Sequence, residues 1–183
     1  MTEPTIRACA QQILAAIDHH GSDSEALRAA IQEPLRELMR RDDLRELGIP
    51  RHGNNVAFSR YLYFDGELSI LLFEVPKEKP VPPHDHGVWE GFCVYRGAVR
   101  HSVYRRGDDG SVEGHAELET VSEEVMRPGD IAILAQQADI HGFVALEEGT
   151  LGITVVNGSY KAERLYYQPE KKTYVVRKPQ NPR

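Results

Sequence analysis

Cysteine is scarce. The chain has 183 residues and only Cys9 and Cys93, too few for a disulfide scaffold, so a reducing cytoplasm is its simplest home. Positive charge is also short. Twenty-two Lys+Arg against 28 Asp+Glu leave a formal net charge of -6, with no general field to hold a polyphosphate, and nucleic acid is not an expected partner. No apolar run reaches the length of a membrane span, and no membrane partner is expected. The opening residues MTEPTIRACAQQILAAIDHH lack the charged-then-apolar layout of a secretory signal. Internal repeats and low-complexity tracts are missing, and only the tail KPQNPR looks frayed. What remains is ordinary globular composition, 40% hydrophobic and 27% charged, in a length that suits one well-buried core.

Within that length the character changes once. From Pro4 to about His19 the residues Ile6, Ala10, Ile13, Leu14 and Ile17 recur at helical spacing, and Gly21 stands where a helix would stop. The stretch SDSEALRAAIQEPLRELMRRDDLRELGI repeats the pattern: Ser22 or Ser24 can cap, Pro34 suits the first turn of a further piece, and Asp42 or Asp43 can start a short last one. Residues 1–50 therefore read as a helical arm, and 51–183 as an all-β core on which it packs, together one domain. In the second part β-branched and aromatic runs are broken every eight to twelve residues by turns. Strands are expected near 56–64, 68–75, 80–86, 90–96, 98–105, 116–122, 131–134, 141–147, 150–157 and 163–168. FDGE, RGDDGS, RPGD and EEGT are the turns, each with a glycine able to take positive φ. No helical stretch interrupts the strands, so the sheets are expected to be mainly antiparallel.

The segment VPPHDHGVWEGFCVYRG, residues 81–97, carries the chemistry. On a strand, residues two apart share a face, so His84 and His86 point together and Asp85 points away. Glu90 has the same parity. Two imidazoles and a carboxylate suit a divalent first-row cation, and a third imidazole has to come from elsewhere in the chain. His141 is the candidate, delivered on a strand after the PGD turn, the IAIL strand and a QQADI loop. Glu90 is either a ligand or a wall carboxylate bonded to a ligand histidine. His101 can share inward parity with Val99 and Val103. Tyr95, Tyr104 and Arg106 read as ordinary strand residues able to line a pocket, and Trp89 reads as wall. His19 and His20 close a helix, His52 and His115 lie in loops, and Cys9 is a small buried hydrophobe.

His84-Asp85-His86, three residues, Glu90, six residues and Gly97 resemble the first motif of the cupin superfamily, and the segment around Gly129 and His141 resembles a degenerate second motif. The resemblance implies a double-stranded β-helix, or jelly-roll barrel, with an N-terminal helical arm. Within the superfamily, PPHDHGVW is similar to the cysteine dioxygenase family and its bacterial thiol dioxygenase branch, as are FSRYLYFDGELSILLF and the Asp-Ile-His at 139–141. It implies His84, His86 and His141 as ligands of Fe(II), and Arg60 as the residue whose planar fork holds a substrate carboxylate. Read from the residues alone, Arg60 can equally be a solvated strand residue paired with Glu67 or Asp65.

Two departures from the family stand out. It has cysteine or glycine where this chain keeps Glu90, so Cys93 is not the family's crosslinking cysteine and the crosslink is absent. The family's late Ser-x-His-x-Tyr constellation aligns with LGITVVNG, which offers Gly152, Thr154 and Val156. Three functions follow as expectations. The first is an iron-dependent dioxygenase that adds O2 to the sulfur of a small carboxylate-bearing thiol, giving a sulfinate. The second is a three-histidine, one-glutamate enzyme with iron, manganese, nickel, copper or zinc, acting on an oxygen-chelating substrate by C–C cleavage or isomerisation. The third is a cupin whose metal only orders the barrel. The partners implied are a small molecule and O2, with self-association left open.

Overall fold

A computed structural model describes residues 4–21, 23–51, 58–77, 79–134, 140–158 and 163–178. His52, the start of the first expected strand, the QQAD part of the loop before Ile140 and the tail from 179 lie outside the described residues.

Helix α1, Ile6–His20, begins where the Thr5 side chain accepts a hydrogen bond from the Ala8 N–H, and ends at Gly21, whose N–H bonds the Ile17 carbonyl. Its buried stripe is Cys9, Ala10, Ile13 and Ala16. Helix α2, Ser24–Leu38, is capped by Asp23, whose carboxylate accepts from the N–H groups of Glu25 and Ala26. Pro34 lies inside α2 rather than opening a new helix. The fully buried Ile31, Leu35 and Leu38 straddle it, and their packing outweighs the backbone hydrogen bond that proline cannot make. The stretch after Leu38 forms turns, with Leu44 buried, in place of the expected short last helix.

Among the described residues twelve strands follow: β1 Ile49–Pro50, β2 Ser59–Phe64, β3 Leu68–Glu74, β4 Val81–His84, β5 Glu90–Arg96, β6 Val99–Arg106, β7 Leu118–Met126, β8 Ile131–Leu134, β9 Ile140–Ala145, β10 Leu151–Asn157, β11 Arg164–Gln168 and β12 Thr173–Arg177. They form two six-stranded antiparallel sheets, ordered β1-β2-β3-β10-β5-β8 and β12-β11-β4-β9-β6-β7. The last four of each order, β3-β10-β5-β8 and β4-β9-β6-β7, interleave in sequence as a jelly roll does. The fold is thus a cupin-like jelly-roll sandwich with two N-terminal helices. The two-residue β1 and the C-terminal β12 were not expected from the sequence. No helix among the described residues is long and apolar enough to cross a membrane.

The first sheet is covered on both sides, which explains why every residue of β5 up to Tyr95 is buried. One face meets the helices: Leu68, Ile70, Leu72, Cys93, Tyr95, Leu151, Ile153 and Val155 pack with Ile13, Ile31 and Leu35. The other faces the second sheet, where Phe92, Val94, Val99, Met126, Phe143 and Ala145 form the interior cluster. Gly97, the last residue of the first motif, sits at φ 77°, and a Cβ there would lie 2.3 Å from the Thr150 hydroxyl. Only glycine fits both constraints.

Candidate metal centre

The histidines meet because of strand register. His84 ends β4 and lies directly opposite His141 on β9, so both rings project from one face of the second sheet. His86 follows two residues later, before Gly87 turns the chain at φ 67°. Glu90 opens β5 on the facing sheet, with Val156 and Leu134 as its neighbours. The three ring centroids stand 4.6, 4.9 and 4.9 Å apart. His84 Nε2 is 2.9 Å from His86 Nε2, Glu90 Oε2 is 3.2 Å from His86 Nε2, and Glu90 Oε1 is 3.8 Å from His141 Nε2. All four residues are buried.

This donor set fits a divalent cation. Two ligands bound side by side at about 2.1 Å lie roughly 3.0 to 3.4 Å from each other, close to the spacings here, and one ligand atom from each histidine lies within 4.8 Å of the others. His141 Nε2 is buried and meets no hydrogen-bond partner among the described residues, as a nitrogen reserved for an ion would. Burial, reinforced by the Arg164 charge, pushes His84 down to about 3. Burial holds His141 well below its ordinary range and brings His101 to about 4. These imidazoles are therefore neutral near pH 7, with lone pairs free to ligate. Next to the His84 Nδ1 is the Pro82 carbonyl, 2.9 Å away. A carbonyl only accepts, so Nδ1 carries the proton and Nε2 offers its lone pair to the cluster.

Asp85 does point away, and the structure supplies its role. Its N–H and carboxylate pair with the Leu165 carbonyl and N–H, and its carbonyl accepts from Arg164 Nε at 2.8 Å. Strand β11 thereby pins the peptide between the two histidines, while Tyr166 stacks on the His84 ring at 5.3 Å and 9°. Nothing in KAERLYY marks Arg164 or Tyr166 as neighbours of the site. His101 lies inside as its parity suggested, hydrogen-bonded through Nε2 to His141 Nδ1 at 2.9 Å.

The expectation for Arg60 requires correction. Arg60 pairs with Leu72 across β2 and β3, and Leu72 belongs to the helix-facing cluster, so Arg60 leaves the sheet on the side away from the histidines. Its Nε donates to the Leu47 carbonyl at 2.5 Å, and Nη2 to the Gly48 and Glu46 carbonyls at 2.8 and 3.3 Å. Gly48, at φ 75°, lies so close to β2 that a Cβ would come within 2.1 Å of the Tyr61 carbonyl oxygen. Arg60 is a latch between the arm and the sheet, with its Nε and Nη2 both engaged by arm carbonyls.

Tyr95 likewise faces the arm, with its hydroxyl on the Arg41 carbonyl. Arg106 is held by Asp108, and Tyr104 packs in a small third cluster with Ala116, Ile140 and Tyr167. Trp89 is buried with the helices. Both cysteines are buried, and burial pushes Cys9 up to about 12 and raises Cys93 as well, so neither is a ready thiolate. Register puts Gly152, Thr154 and Val156 on the same face as Phe92 and Glu90. At these three positions β10 brings no imidazole or phenol to the interior. Gly152 packs closely there: a Cβ would lie 3.1 Å from both Phe73 and Phe92, so the two rings would have to shift by a few tenths of an ångström to admit it.

No protein-family model matches the chain, and no curated protein matches it. Solved structures do. KdgF from Halomonas sp. is 17% identical over 59% of this chain and 85% of its own, with a TM-score of 0.44. A variant of oxalate decarboxylase from Bacillus subtilis is 17% identical over 71% of this chain and 30% of its own, with a TM-score of 0.45. Hydroquinone 1,2-dioxygenase PnpCD is 10% identical over 54% of this chain and 63% of its own, with a TM-score of 0.43. At such identities the likeness says nothing of what this chain binds.

Proposed function

We propose that this chain is a metal-dependent enzyme whose centre consists of His84, His86, His141 and Glu90, and that it acts on a small molecule that chelates the cation through oxygen, by C–C cleavage or isomerisation. The supporting observation is the Glu90 carboxylate, buried with one oxygen toward His86 and the other toward His141. A carboxylate in that place completes a donor set of three imidazole nitrogens and one carboxylate, which suits a hard-to-borderline cation such as iron(II) or manganese(II). A bound cation of that kind supplies Lewis acidity and, for iron or manganese, a point at which O2 can react.

The chain's own residues account for the rest. His84, with its Nδ1 proton held by Pro82, keeps one donor direction fixed. Glu90, whose carboxylate faces His86 and His141, would on leaving the cation be placed to take a proton from a substrate hydroxyl. Phe92 and Phe143, buried and stacked 4.8 Å apart, give His141 an apolar flank. Oxygenation of a thiol is the second reading, carried by the His-Asp-His-x-x-Trp resemblance. The family's carboxylate clamp is not available to it here, because Arg60 is committed to the arm.

Metal analysis of the purified protein, followed by oxygen uptake and product analysis with panels of thiols and of diols and hydroxy acids, tests the proposal. Glu90→Gln should lower metal retention at least tenfold and abolish turnover. Glu90→Gly that retains metal and raises thiol turnover would establish the second reading instead. Wild-type protein that takes up no divalent cation would overturn both.

A further inference from the structure

His141 uses both ring nitrogens. Nε2 faces His84, His86 and Glu90, while Nδ1 lies 2.9 Å from His101 Nε2. The two rings are 0% and 1% exposed. His101 comes from β6, opposite Phe143 and therefore diagonal to His141 in the β6–β9 register. Its ring is stacked on Phe92 at 5.5 Å and 10°. Phe92 and Phe143 also flank His141, at 6.2 and 5.5 Å, so the nitrogen pair is sheathed in hydrocarbon where an unmet N–H is costly.

A hydrogen bond between two neutral imidazole nitrogens contains one proton and has two directions. With the proton on His141 Nδ1, Nε2 presents a lone pair to the cluster. With it on His101 Nε2, His141 holds its own proton on Nε2 and has nothing to donate to a cation. His84 has no such freedom, because the Pro82 carbonyl can only accept.

We infer that His101 is a positioning residue of the metal centre: its Nε2 accepts the His141 Nδ1 proton and so keeps the His141 Nε2 lone pair directed at the cation. This rests on the metal-centre reading above. With the bond in that direction His101 carries its own proton on Nδ1, which meets no partner among the described residues, so no further group favours the direction and the unmet N–H opposes it. Cation binding selects it, and readiness to bind depends on where one shared proton lies.

Zinc, which is diamagnetic, is the probe. In ¹⁵N-labelled protein loaded with Zn²⁺, NMR should find the proton on His141 Nδ1, with scalar coupling across to His101 Nε2. Zinc affinity, measured by competition with a chelator, should fall roughly 10- to 100-fold in His101→Phe, which keeps a ring against Phe92 but offers no acceptor. In His101→Gln, whose carbonyl can replace Nε2, it should return to within about threefold of wild type. Melting temperatures of the metal-free variants separate loss of fold from loss of affinity, and the wild-type spectrum decides the matter if His101→Phe does not fold. Equal affinity of wild type and His101→Phe, a His101→Gln no better than His101→Phe, or a proton on His101 Nε2 in the zinc-loaded protein would overturn the assignment alone. A wild type that binds neither zinc nor any other divalent cation would overturn the metal-centre reading and this assignment with it.

Discussion

Mild acid should destabilise the metal-free protein well before its carboxylates titrate. His84, His101 and His141 are buried, with His84 near 3, His101 near 4 and His141 well below the ordinary range. In the unfolded chain each returns to about 6.5. Below that pH the unfolded state binds protons that the folded state refuses, so the stability these rings contribute is full above about 6.5 and drains away as pH falls toward the folded values. At pH 5.5 one such histidine has cost about 1.4 kcal/mol, and three about 4 kcal/mol, a large share of the ~5 to 15 kcal/mol typical of a domain. The carboxyls held low by their partners, Asp43, Asp65 and Asp108, act in the opposite window: their contribution is present above about 4 and lost only below it. Denaturant unfolding with a chelator present, at pH 7.5, 6.5 and 5.5, therefore isolates the histidines. Wild type should lose about 4 kcal/mol across that range, and His101→Gln about 1.4 kcal/mol less. A wild-type loss under about 1 kcal/mol would refute the claim that these rings are neutral because they are buried.

Two further substitutions separate site from scaffold. Asp85→Ala removes the acceptor of the Leu165 N–H and should cost about 1 to 3 kcal/mol in stability, with a matching fall in metal affinity that Asp85→Asn partly restores; calorimetry and chelator competition read both. Arg60→Ala should lower stability by about 1 to 3 kcal/mol while leaving metal affinity and substrate KM unchanged, and a KM that rises without loss of stability would return Arg60 to the site.

The jelly roll was legible because short β-rich runs and glycine turns punctuate the chain regularly. β5 and β8 begin and end where the pattern put them, bounded by motif and turn residues of unmistakable type. TYVVR escaped because it follows EKK, a charge run that reads as solvent-facing, and becomes a strand only by pairing with β11. The three histidines and Glu90 were legible as a group because period-two alternation orders one strand and the second motif follows a recognisable turn. Arg60 was misjudged for a physical reason. Alternation says which residues share a face but not which face is the interior, and in this sheet the helices make the outer face as apolar as the inner one. The partnership of His101 with His141 depends on a diagonal contact between strands forty positions apart, and no local pattern encodes it.

The binding of β11 to Asp85 also gives the site a history. The four residues of the cluster are all synthesised by position 141, yet Arg164 and Leu165, which bond the peptide between His84 and His86, come later in the chain. A chain short of that strand carries the same side chains with these bonds to Asp85 unmade. For the proposed centre, tight cation capture is accordingly expected only once β11 has joined the second sheet.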